Sequence, residues 1–303
     1  GNISTATAAV ADVTSGKERS RGMAIIGMAF GLGFVMGPAI GGIASFHNMA
    51  AQFPALTAYG INPFSLPALI AFFLALSNFL FVVFVFKETK PAHVKTLGRP
   101  QRTFNLKALF GSAGYPGVSR TNLAYFLFIT AFSGMEFSLS FLAEDRFNYT
   151  PGQIAAMLVF IGVTLAAVQG SYVRARSSEI GERRMATQGF IIAIPGLYLL
   201  GIAQSQTTLY LGNFLVAVGA AQVIPCLTAL VSMYTPSDVQ GRTLGIFRSL
   251  GALGRVIGPL IICVVYWQFG SLIAYVSVAT FMIWPLFMMR RLPEPPQYSQ
   301  YSP

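Results

Sequence analysis

Two charged residues stand inside long apolar runs, where a charge is costly. Glu136 lies in the run 119–144, and Arg255 lies in the run 243–268. If both runs are helices, the rise of 1.5 Å per residue places these side chains about 20–24 Å from the charged end of each run. Ionisable groups at that depth in a membrane are candidates for proton relays and ion binding. Glu136 is therefore a candidate for a group that takes up and releases a proton.

Arg255 has two possible roles at this depth. It can bind an anionic substrate, or it can pair with Glu136, which lies at a similar depth in its own run. Both residues also have a structural alternative. Glu136 would then form a hydrogen bond between helices, and Arg255 would belong to an ion pair that only holds helices together.

Amide side chains inside apolar runs are further candidates for contacts with a substrate. They are Gln169, Gln222 and Asn213. Amides in membrane helices also commonly bond to a neighbouring helix, and this is their structural alternative.

The other reactive side chains form no catalytic or metal-binding pattern. Cys226 and Cys263 lie in apolar runs, as small core residues do, and His47 and His93 stand singly in connecting segments. The sequence contains no phosphate-binding loop and no spacing typical of a nucleophile with its base. We therefore predict no enzymatic activity, no metal and no cofactor.

The composition indicates that these residues are positioned by membrane helices. The chain has 303 residues, of which 54% are hydrophobic and only 10% charged, with a mean hydropathy of +0.62. Soluble domains carry about 25% charged residues, so we predict an all-α integral membrane protein. The expected spans are the end of a helix at 1–11, followed by 21–46, 65–86, 119–144, 151–173, 186–204, 207–234, 243–268 and 270–290.

The placement of basic residues predicts the orientation of these spans. Every Lys and Arg except Arg146 and Arg255 lies in alternate connections, or at the helix ends beside them, and the linker 87–118 is one of these connections. Since cytoplasmic loops are rich in Lys and Arg, we expect the linker to face the cytoplasm. The net charge of +10 is then a topology signal, and it does not indicate a nucleic-acid partner. The sequence does not distinguish the plasma membrane from an organelle membrane.

An internal repeat relates the two halves of the chain. The segment 14–40 aligns without gaps on 235–261, and Gly37 and Pro38 match Gly258 and Pro259. Both copies have the same basic side at their entry, which predicts a parallel repeat. The two copies are 221 residues apart, so the counterpart of the helix that begins near 119 would lie before residue 1. We therefore expect the chain to be a piece of a longer protein.

A glycine-rich string lies in the first copy of the repeat, with Gly33, Gly37, Pro38, Gly41 and Gly42 in the pattern GxxxGPxxGG. This string resembles the signature of the fifth transmembrane helix in antiporters of the major facilitator superfamily. The whole chain resembles drug–proton antiporters of that superfamily, including the tetracycline-efflux transporters and their eukaryotic tetracycline-transporter-like branch. The runs that carry this likeness include 132–141, 169–172 and 248–255.

The resemblance implies a fold of 12 helices in two pseudo-repeat bundles, of which this chain would hold about eight and a half. The implied domains are the rest of the N-terminal bundle at 1–86, the linker 87–118, the C-terminal bundle at 119–291 and a disordered tail at 292–303. Within this architecture the helix that carries Gln222 and Asn213 would line the central cavity. The gating and structural residues implied are Asp12, Arg21, Gly33, Gly37, Pro38, Gly41, Gly42, Arg248, Gly258 and Pro259.

The function implied by the resemblance is export of amphiphilic organic ions or drugs in exchange for protons, by alternating access. The expected partners are a small organic substrate, protons and the lipid bilayer, and the expected working form is a monomer. Two alternatives remain open on the residues alone. One is an uncoupled facilitator of organic solutes, and the other is a non-transporting receptor or scaffold with the same fold.

Overall fold

The computed structural model of the chain describes residues 47–62, 65–86, 117–235 and 240–293, with Tyr115 and single positions between Gly33 and Ala44. The side chains of Ser178 and of residues 240–242 are not among those described. All regular elements in these ranges are helices. The chain divides into two compact units, Gly1–Phe104 with Thr150–Val159, and Asn105–Tyr149 with Phe160–Pro303.

The described residues of the first unit form a short helix, a 3-10 turn, a long apolar helix and the first part of the helix that begins at Pro151. Helix α1 spans Met49–Gln52, and its N-cap residue Asn48 accepts a hydrogen bond from the Ala51 amide at 3.1 Å. The 3-10 helix spans Pro54–Tyr59 and ends at Gly60, whose φ of 89° favours glycine. Helix α2 spans Ser65–Phe84 and is apolar except at Ser65, Ser77 and Asn78, which suits a helix that crosses a membrane.

The remaining helices follow in chain order. Helix α3 spans Val118–Phe147, α4 spans Pro151–Val168, and a π-helical turn at Gln169–Val173 joins α4 to α5 at Arg174–Ile180. Helix α6 spans Glu182–Ile202, α7 spans Gln206–Met233, α8 spans Gln240–Phe281 and α9 spans Ile283–Arg290. Within α8, Gly270 has non-helical angles (φ 84°, ψ 164°) and divides the element in two.

Six of the described helical stretches are long and apolar enough to cross a membrane. They are Ser65–Phe84, Val118–Phe147, Pro151–Ser177, Glu182–Ile202, Gln206–Met233 and Thr243–Arg290. The last has 48 residues, about twice the length needed for one crossing, and it contains the break at Gly270. This break agrees with the predicted boundary between the spans 243–268 and 270–290.

One predicted connection is wrong. We expected a loop over 174–185, but helix continues to Ile180 as α5, and α6 begins at Glu182. Only Gly181, with a φ of 84°, separates the two helices. The hydropathy of the segment marks the edge of the apolar zone, whereas the helix itself continues beyond that edge.

The second unit is held together by close contacts between glycines. Gly189 and Gly196 on α6 face Gly219 and Gly212 on α7. A Cβ added at Gly189 would lie 2.7 Å from the carbonyl oxygen of Gly219, and one added at Gly196 would lie 2.8 Å from that of Gly212. Small residues allow membrane helices to approach this closely, and the gain is van der Waals packing that lipid does not supply.

The end of the last helix is also fixed within this unit. Main-chain carbonyl oxygens at 291–293 accept hydrogen bonds from side chains of α3, α6 and the C-cap of α7. Arg120 donates to the carbonyl oxygen of Arg291 at 2.5 Å, Arg183 donates to that of Leu292 at 2.7 Å, and Tyr234 donates to that of Pro293 at 2.6 Å. Leu292 is 2% exposed. The first residues of the predicted tail 292–303 are therefore packed, and residues 294–303 lie outside the described part of the chain.

Candidate substrate and proton site on helices α3 and α8

Helices α3 and α8 approach each other along a line of small residues. A Cβ added at Gly258 would clash with the carbonyl oxygen of Thr130, and one at Gly134 would lie 2.9 Å from the carbonyl oxygen of Gly258. One turn earlier on α8, a Cβ at Gly254 would lie 3.0 Å from the Thr130 hydroxyl. No side chain fits between the two backbones at these points. The contact therefore fixes the part of each helix that carries the predicted acid or arginine.

Glu136 and Arg255 lie on the two helices that make this contact. The Ser133 hydroxyl, one turn before Glu136, donates a hydrogen bond to the main-chain carbonyl of Arg255 at 3.4 Å. The charged side chains of Glu136 and Arg255 interact electrostatically. Glu136 is half-buried and Arg255 is exposed. The structure thus brings together the acid and the arginine that the sequence placed at similar depth.

A buried tyrosine holds α3 beside Glu136, and the sequence alone did not indicate it. Tyr275 lies after the break at Gly270 and is 1% exposed. Its hydroxyl accepts a hydrogen bond from Ser138 at 3.2 Å and lies 3.5 Å from the carbonyl oxygen of Met135, to which it donates. The position of the acid therefore depends on three stretches of the chain, namely α3 and the two halves of α8.

The amide candidates occupy different surroundings. Gln222 is 1% exposed, and its Nε2 donates to the carbonyl oxygen of Val218 at 3.0 Å within the same helix. Asn213 is also 1% exposed. Within the described part of the chain, neither polar atom of the Asn213 side chain has a hydrogen-bond partner, nor has Oε1 of Gln222. Gln169 is half-buried at the start of the π-helical turn. Among the described residues, no hydrogen bond joins these three amides to Glu136 or Arg255.

The gating and structural candidates are only partly described. Asp12, Arg21, Pro38 and Gly42 lie outside the described residues. Gly33, Gly37 and Gly41 are described, and within the described structure no atom lies within 4 Å of a Cβ built on any of them. In the second copy of the repeat, Gly258 makes the α3 contact, Pro259 is half-buried in α8, and Arg248 is exposed. The roles suggested for these residues in gating remain predictions.

Arg146, one of the two basic residues that break the charge pattern, joins three helix ends. Its Nη1 donates to the carbonyl oxygen of Ala203 after α6, and its Nη2 donates to the Ser271 hydroxyl just after Gly270, both at 2.8 Å. Beside it, Asp145 accepts a hydrogen bond from the Tyr266 hydroxyl at 2.7 Å. The exceptional position of Arg146 in the sequence was the signal that could have indicated this role.

Arg146→Gln should lower the thermal stability of the protein clearly. The change removes hydrogen bonds from a charged donor to Ala203 and Ser271, and such bonds contribute roughly 1.5–3 kcal/mol each. The measurement is the melting temperature of the full-length protein in detergent. Arg176→Gln is the matched control, because Arg176 pairs with Glu179 on the surface, where both side chains are more than half exposed. Equal melting temperatures for the two variants would show that Arg146 does not hold the helix ends.

Comparison with known proteins identifies relatives over most of the chain. The profile of the Major Facilitator Superfamily matches residues 1–259 and 155–302. Mouse major facilitator superfamily domain-containing protein 10 is 34% identical over 318 residues, which cover 99% of this chain and 66% of that protein. The class E tetracycline resistance protein of Escherichia coli is 26% identical over 262 residues, which cover 86% of this chain and 60% of that protein.

A solved structure supports the same comparison. The crystal structure of the human organic anion transporter MFSD10 (TETRAN) matches with a TM-score of 0.69 and 32% sequence identity. The match covers 95% of this chain and 68% of the human chain. The chain thus spans about two thirds of the length of these relatives.

Proposed function

Because the chain belongs to the Major Facilitator Superfamily, we propose that it is part of a secondary transporter that exports amphiphilic organic anions, including drugs, in exchange for protons by alternating access. The match to the family profile and to the solved structure confirms three predictions. These are the family, the all-α fold and the location in a membrane that the chain crosses several times. The substrate and the coupling to protons are the proposed part.

The observation that carries the proposal is the hydrogen bond from Ser133 to the main chain of Arg255, which brings the stretch of α3 that carries Glu136 against the stretch of α8 that carries Arg255. A proton-coupled exchanger needs a group that is protonated in one access state and ionised in the other. Glu136 is a half-buried carboxyl group at mid-membrane depth, where ionisable residues are costly and usually functional. Arg255 is exposed beside it and offers a positive charge to an anion. For exchange the two ligands must alternate, so the anion binds Arg255 while Glu136 is ionised, and Glu136 takes up its proton after the anion has left.

The charge of the substrate follows from the same pair. A guanidinium in a cavity with low-dielectric walls attracts an anion, and its planar donors match a carboxylate or sulfonate group. The human relative in the solved structure is an organic anion transporter, which agrees with this choice. Gln222, Asn213 and Gln169 are proposed as secondary contacts for the polar groups of the substrate. For Asn213 and Gln222 the support is that these amides are buried and have polar atoms to satisfy.

Uptake of 2-naphthalenesulfonate into liposomes that contain the full-length protein tests the proposal. A sulfonate stays ionised at every working pH, so leakage of a neutral acid does not complicate the result. With a lumen more acidic than the bath, protons leave as the anion enters, and uptake should be faster than without the gradient. A permanent cation of similar size, a naphthylmethyl-trimethylammonium ion, should show no protein-dependent uptake. Uptake of the sulfonate that ignores the gradient would favour the facilitator, and uptake of neither ion would favour the scaffold.

A further inference from the structure

A second arginine lies on the same side of α8 as Arg255. Arg248 precedes Arg255 by seven residues, or two helical turns, so their Cα atoms are about 10 Å apart along one face. Gly251 lies between them, three residues after Arg248 and four before Arg255. The two guanidinium groups therefore project from helical turns on either side of this glycine.

A tyrosine from α3 fills the space beside that glycine. A Cβ added at Gly251 would lie 2.8 Å from the Tyr125 hydroxyl oxygen and 2.7 Å from its ring. The ring of Tyr125 stacks on Phe247, with centroids 3.8 Å apart and an interplanar angle of 17°. This stacking fixes the ring, so the hydroxyl group is held between the turns that carry the two arginines.

The exposure of the two arginines decides what they face. Both are exposed although they belong to a helix that crosses the membrane. Arg255 lies well inside the span, where a guanidinium in contact with lipid tails is costly, so Arg255 faces a water-filled cavity or other protein. Arg248 lies five residues after the start of the span and on the same face of the helix as Arg255. Among the described residues, no acidic side chain lies within ion-pair distance of Arg248. Because Arg248 is exposed, a ligand can reach its guanidinium group.

We propose that Arg248, Tyr125 and Arg255 form a binding site for aromatic organic dianions whose acidic groups lie about 10 Å apart. One acidic group binds each guanidinium, and the Tyr125 hydroxyl donates a hydrogen bond to the ligand between them. This assignment rests on the proposed transport of organic anions and narrows its substrate class. It also gives Arg248 a role in binding, in addition to the gating or structural role that the family resemblance implies.

Equilibrium binding to the full-length protein in detergent tests this site without requiring transport. The probes are 2,6-naphthalenedisulfonate and 2-naphthalenesulfonate, which share an aromatic body and differ in one charge. Wild-type protein should bind the disulfonate about tenfold more tightly, as expected for one additional charge-assisted contact. Arg248→Gln should remove this preference. Arg184→Gln removes an exposed charge from the start of α6 and should retain it.

A milder variant keeps the test informative if Arg248→Gln folds poorly. Tyr125→Phe retains the ring stacked on Phe247 and removes only the hydroxyl group, so it should reduce disulfonate affinity by about threefold to fivefold. Equal binding of the two sulfonates by the wild type, or an unchanged preference in Arg248→Gln, would overturn the assignment. Preferential binding of the disulfonate without any transport in liposomes would instead contradict the proposed function and leave the site standing.

Discussion

Gly258→Leu should prevent the C-terminal helices from packing. At this position even a Cβ would clash with the carbonyl oxygen of Thr130, and it would lie 3.0 Å from the Gly134 amide nitrogen. Both obstacles are backbone atoms, which cannot rotate away as a side chain can. Overpacked cores lose about 1–3 kcal/mol when side chains are able to adjust, so we expect a larger loss here. The full-length variant should aggregate on size-exclusion chromatography in detergent or melt far below the wild type.

Gly245→Leu is the matched control for this change. Gly245 lies on the same helix, is exposed, and has no atom within 4 Å of a Cβ built on it in the described structure. Its substitution by leucine should be tolerated, because the added side chain extends into open space. If the two variants behaved alike, α3 and α8 would not be in contact at Gly258.

Glu136→Gln should abolish the acceleration of anion uptake by a proton gradient. Glutamine has nearly the shape of glutamic acid, but it cannot release a proton, so the exchange step loses its titrating group. Exchange of anion for anion across the membrane does not require that step and should continue. In liposomes, the ratio of uptake with and without the gradient should fall to about one, while anion exchange stays within about twofold of the wild type.

Glu144→Gln separates this effect from a general loss of negative charge. Glu144 belongs to the same helix, two turns beyond Glu136, and it is exposed near the helix end. Its substitution should leave the response to the gradient intact. A wild-type response in Glu136→Gln would place the proton site elsewhere in the full-length protein.

The spans from residue 65 onward could be predicted from sequence because lipid imposes a simple requirement on length and hydropathy, whereas the predicted spans 1–11 and 21–46 lie almost entirely outside the described residues. The error at 174–185 has a physical origin. Arg174, Ala175 and Glu179 are good helix formers, so the helix continues although its residues turn polar. Hydropathy marks where the apolar zone ends, and helix propensity decides where the helix ends.

The site was harder to predict because the helices are apolar on most sides. Depth along a helix can be counted in residues, which is why Glu136 and Arg255 could be placed at similar levels. Rotation about the helix axis cannot be read without a polar face, so the burial of Asn213 and Gln222 was not foreseen. The bonds of Arg146 and Tyr275 involve partners more than 50 residues away, and they depend on tertiary packing alone.

The central claim is that movement of an organic anion moves protons in the opposite direction. The most direct measurement uses liposomes with the full-length wild-type protein in the membrane. The lumen is loaded with 2-naphthalenesulfonate and a pH-sensitive dye, and the bath contains neither. No pH gradient is imposed, and equal potassium with valinomycin holds the membrane potential at zero. As the sulfonate leaves, the lumen should become more acidic than in protein-free liposomes. Protein-dependent exit of the sulfonate at constant lumenal pH would contradict proton exchange.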